Sequence, residues 1–99
     1  MTKTQTGKNL DAYVLARANA WTKADGMVGY VVATIVDGTS GLVTCKWFDA
    51  TDKAGAEEYA QTLWTVAWVI DPDGVMVSRY DNPSDGSQSV VFFAKGSVG

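Results

Sequence analysis

The sequence predicts an α+β fold: an antiparallel sheet of four to five strands with two helices packed on one face, in the order α-β-β-α-(β)-β-β. Three observations lead there. Residues 10–21 repeat apolar side chains at helical spacing. Residues 27–48 form two β-rich runs around a Gly/Asp turn, and residues 75–94 do so around a second turn.

Residues 1–8 are rich in Thr, Lys and Gln with nothing to bury, and read as a flexible arm. A helix over 9–24 follows. Asn9 is a capping residue, and Leu10, Tyr13, Val14, Ala18 and Trp21 fall on one stripe. Asp25-Gly26 supplies the left-handed stop.

Residues 27–36 are β-branched and apolar on both alternating sets, which suits a central strand. Residues 37–41 are a short turn. In the next strand, 42–48, Val43, Cys45 and Trp47 share one face while Thr44 and Lys46 share the other. The two strands make a hairpin.

Thr51 and Asp52 offer capping side chains to a second helix. Glu57 and Glu58 sit early in it, and Ala56, Tyr59, Ala60 and Leu63 form its stripe. Two readings compete after that. Helical spacing continues through Val66, Ala67 and Ile70, yet residues 64–70 have strand propensity and Asp71-Pro72-Asp73-Gly74 is a hairpin turn. The turn favours a helix ending near 64 and a strand over 66–71. A strand over 75–80, a turn over 82–86 and a strand over 89–94 complete a single domain, 9–95, with a loose tail at 96–99.

Composition removes several function classes. The 99 residues contain no His and one Cys, so His-based catalysis, zinc sites and an internal disulfide are excluded within the chain. No run approaches a membrane span and no apolar leader is present, so the expected setting is a reducing cytoplasm without membrane contact. The net charge of −3 is uneven. Residues 1–23 carry four cations against one acid, while residues 24–99 carry four against ten. An acidic body repels phosphate, so direct nucleic-acid binding is not expected. It favours a basic protein surface instead.

No glycine-rich phosphate loop occurs, and the 71–74 turn is too short for a calcium loop. The close carboxylate pairs, Asp49 with Asp52 and Glu57 with Glu58, are explained by capping and by adjacency on a helix. Cys45 has no His to activate it, and Lys46 points to the opposite face; it reads as a buried, inert thiol. The expectation is therefore a chain without catalytic residues, metal or cofactor.

The four tryptophans remain. Large rings are seldom all buried in a core this small, and Trp64 and Trp68 share one face. Either they complete the core or they anchor a partner. The partner-binding set expected from the sequence is Trp64, Trp68, Asp49, Asp52, Asp71 and Asp73. It describes a non-enzymatic module, monomer or homodimer, that occupies a basic surface of a protein partner. The alternatives are a self-associating structural subunit and a small-ligand carrier.

In size, charge and element order the chain resembles small bacteriophage inhibitors of host defence systems, anti-CRISPR proteins among them. The resemblance implies steric inhibition: occupation of a nucleic-acid-binding or subunit-docking surface on the target. It transfers no individual residues.

Overall fold

The computed structural model describes residues 8–35, 42–63, 65–81 and 88–94. The expected arm at 1–8 (apart from the backbone of Lys8), the turns at 37–41 and 82–86, and the tail at 96–99 lie outside them. The order is α1 (Lys8–Asp25), β1 (Gly29–Ile35), β2 (Val43–Asp49), α2 (Lys53–Thr62), β3 (Ala67–Ile70), β4 (Met76–Asp81) and β5 (Ser89–Phe92). The strands form one antiparallel sheet in the order β2-β1-β3-β4-β5.

α1 begins at Lys8, which puts Asn9 inside the first turn rather than at the cap. It ends where the sequence says. Gly26 takes a φ of 65°, its N–H donates to the Lys23 carbonyl, and the Met27 N–H reaches back to the Thr22 carbonyl. Those two bonds satisfy the terminal carbonyls of Thr22 and Lys23 and turn the chain toward β1.

At the other helix, the Asp52 carboxylate accepts the Gly55 N–H at 3.0 Å and caps α2. α2 stops at Thr62 because Leu63 is already extended, with a ψ of 153°. Residues 67–70 of the contested segment are a strand, β3. The β3–β4 turn closes with the Asp71 N–H donating to the Val75 carbonyl and the Gly74 N–H to the Asp71 carbonyl. Gly74 has a φ of 81°, a conformation that a side chain disfavours.

The expectation of both helices on one face is corrected. Val31, Ala33, Ile35, Trp68 and Ile70 pack with Val14, Leu15 and Ala18 of α1. Val32, Ala67 and Val69 pack with Ala56 and Ala60 of α2. Successive residues of β1 and β3 point to opposite sides of the sheet, so α1 covers one face and α2 the other. The reason is visible in the strands: both alternating sets are apolar, and a sheet with two apolar faces needs a layer over each. β3 is buried along its whole length.

Candidate interaction surface

The register gathers the acidic residues singled out from the sequence. Asp49, the last residue of β2, pairs with Gly29, the first of β1. Ile70, the last of β3, pairs with Val31. The segments leaving β2 and β3 therefore emerge near the start of β1, where Asp25 closes α1. Asp25, Asp49, Asp52, Asp71 and Asp73 all belong to this end of the sheet, with Lys23 and Lys53 as the accompanying cations.

Three of these carboxylates also hold their own turns. Asp49 Oδ1 accepts the Thr51 N–H at 3.0 Å and the Thr51 hydroxyl at 2.8 Å. Those bonds hold the exposed Asp49 carboxyl below its usual range. Asp52 caps α2. Asp71 Oδ1 accepts the N–H groups of Asp73 and Val75 at 2.9 and 3.0 Å. Asp73 is exposed. The turn bonds engage one oxygen of each carboxylate and leave the negative charges in place.

The tryptophans distribute differently from the expectation. Trp68 is a correction: it is 0% exposed and offers no contact surface. It stands on the sheet interior under α1, and its indole N–H donates to Asp11 Oδ1 at 2.8 Å. Trp64 lies outside the described residues. Trp21 is half-buried against the α1 side of the core. Among the described tryptophans the exposed one is Trp47, 40% exposed, two residues before Asp49. Its indole lies against Gly29, where a Cβ would collide with both the ring and the Phe48 carbonyl. Val28, also exposed, immediately precedes this glycine. Trp47's alternation with Lys46 was legible in the sequence; its position on an edge strand beside the acidic end was not.

Away from that end, Asp11 is a buried carboxylate at the centre of a small network. Besides the indole it accepts from one terminal nitrogen of Arg79, 3.1 Å from each oxygen. The Arg79 Nε reaches Asp81 at 3.4 Å. Burial works against the guanidinium charge, but the Asp11 bond and the two carboxylate charges outweigh it and raise its pKa. Trp68 and Arg79 are direct cross-strand partners, so one carboxylate from α1 serves both.

Cys45 is half-buried rather than fully buried. Burial raises its thiol pKa, and Arg17 on α1 lowers it by a smaller amount. Sequence proximity pointed to Lys46, but the nearby cation comes from a helix. On the opposite face Lys46 lies 5.7 and 5.5 Å from the ring centres of Phe48 and Tyr59, tying β2 to α2.

A cavity of about 260 Å³ opens between the last turns of α1 and the β3–β4 turn, with Asn19, Thr22, Lys23, Asp71 and Asp73 in its wall. The Asn19 amide already donates to the Gly74 carbonyl and the Thr22 hydroxyl to the Asn19 carbonyl. Among the described residues no group of three or more Cys, Asp or Glu side chains is placed to hold a metal ion, and no helix is long and apolar enough to cross a membrane. No protein-family model, curated protein or solved structure matches the chain.

Proposed function

We propose that this chain is a non-enzymatic protein-binding module that occupies a basic surface of a protein partner with the acidic end of its sheet. One observation carries the reading: the topology brings carboxylates from the end of α1, the β2–α2 link and the β3–β4 turn to one end, beside the exposed ring of Trp47. Clustered charge of one sign speeds encounter with a surface of the opposite sign. A half-exposed indole is the kind of anchor that gives such an encounter a lifetime. The mode of action is steric, as for the phage inhibitors that the chain resembles: a covered basic surface no longer docks nucleic acid or a subunit. The same charge repels phosphate, so the module acts on protein and not on nucleic acid.

Capture of the partner from a lysate of the native cell tests this. Replacing Asp49, Asp52, Asp71 and Asp73 with Asn keeps the turn-closing oxygens and removes the charge. Capture should weaken and lose most of its salt dependence. Trp47→Ala should weaken capture without changing the salt dependence. Unchanged capture by the Asn variant refutes the acidic surface.

The cavity beside α1 favours a second reading, a small-ligand carrier. A thermal-shift screen across ligand classes decides it, because a ligand that binds only the folded chain must raise its melting temperature.

A further inference from the structure

The two edges of the sheet are treated differently. β2 carries Lys46 and Asp49, charges that discourage pairing with another strand. β5 is Ser-Val-Val-Phe, without a charge, and all four residues are exposed, Phe92 by 70%. None of its side chains joins the core cluster on either face. Among the described residues, β5 pairs only with β4.

Backbone directions along β5 follow from one bond. The Phe93 N–H donates to the Val77 carbonyl, toward β4. Backbone groups alternate along a strand, so Val91 and Ser89 also face β4, while the N–H and C=O groups of Val90 and Phe92 face outward. These outward groups and the apolar side chains make an open template for another strand.

We propose that β5 is the dimer edge of this protein and that its occupant is β5 of a second copy, paired antiparallel about a two-fold axis through Val91. That register brings Val90 of each copy opposite Phe92 of the other, in pairs that exchange the outward N–H and C=O groups. On one face it stacks valine on phenylalanine, a favourable cross-strand pair. On the other it sets Val91 against its own mate. Self-complementarity points to a second copy, because one register about Val91 repeats the Val90–Phe92 pair on both sides of the axis and sets no charge against another. The edge is neutral, so self-pairing opposes no like charges. Antiparallel pairing also sends the acidic ends of the two copies to opposite ends of the joined sheet, which keeps the net negative bodies from facing each other. The contact is isologous and closes at two copies, because the remaining edge in each is the charged β2.

The outward N–H groups supply a selective test. Val90→Pro deletes a donor that faces away from β4, so the intrachain ladder survives and only the pairing between copies is lost. Light scattering after gel filtration, across a dilution series, should give twice the chain mass for the parent protein. It should give the single chain mass for Val90→Pro, with an unchanged far-ultraviolet circular dichroism spectrum. Phe92→Lys, at a side chain exposed in the single copy, should also yield a folded single chain and serves if the proline variant does not fold. The Asp→Asn variant of the acidic end should remain dimeric, which separates this contact from that surface. A parent protein of single-chain mass at every concentration overturns the proposal. So does a folded Val90→Pro or Phe92→Lys that keeps the doubled mass.

Discussion

Replacing Asp11 with Ala should be among the most destabilising single changes in α1, although alanine is the better helix former. Asp11 is 4% exposed and accepts from both Trp68 and Arg79. Without it the indole N–H of Trp68, itself 0% exposed, has lost its acceptor, at a cost of about 1–3 kcal/mol. Arg79 loses its closer counter-charge. Breaking a fully buried pair costs about 3–5 kcal/mol, but a partly exposed guanidinium recovers some hydration, so the lower end or less applies. The Arg79 side chain is 21% exposed. Together the loss should be about 3 kcal/mol. In a domain of this size that lowers the melting temperature by about 12–24 °C.

Urea unfolding followed by tryptophan fluorescence gives the free energy, and a cycle with Trp68→Phe isolates the indole bond. Phe keeps much of the ring and removes the N–H, so Asp11→Ala should cost about 1 kcal/mol less in that background. A loss below about 1 kcal/mol for Asp11→Ala, or strict additivity in the cycle, refutes the account of Asp11 as a shared acceptor.

Three further outcomes are expected. Asp52→Ala removes the cap of α2 and should cost about 1 kcal/mol, while Asp52→Asn should cost a few tenths at most; denaturant midpoints distinguish them. Gly29→Ala places a methyl group against the Trp47 indole and the Phe48 carbonyl. It should cost about 1–3 kcal/mol and shift the Trp47 emission, and a neutral effect would refute the close packing there. Cys45 has a thiol pKa raised by burial. Its contribution is fully present below the ordinary thiol pKa and is lost as pH rises through the raised value. The pH profile of thiol modification should accordingly lie higher for the folded chain than in denaturant, and coincident profiles would contradict this.

Much of the local structure was legible from single residues. Gly26 and Gly74 sit where the chain needs positive φ, and Asp52 and Asp71 close the backbone groups that their spacing suggests. The strand at Ala67–Ile70 was the harder case, because Trp-Thr-Val-Ala-Trp fits either period. Pairing with β1 and β4 decided it, since both edges of that segment found partners. Trp68 was read as a candidate anchor because helical or strand spacing groups it with Trp64. Burial under α1 depends on where the helix lands, and spacing within one segment carries no information about that.

The residues by themselves determined the fold class, the order of the elements apart from the strand at Ala67–Ile70, and the turns at Gly26 and Asp71–Gly74, because caps, glycine conformations and side-chain periodicity act over a few residues. Tertiary structure alone decided which faces meet. It placed α1 and α2 on opposite sides of the sheet, because β1 and β3 have two apolar faces to cover. It also brought acids dispersed between residues 25 and 73 to one end, because antiparallel pairing returns β2 and β3 to the start of β1. Charge counted along the chain became a surface only through that register.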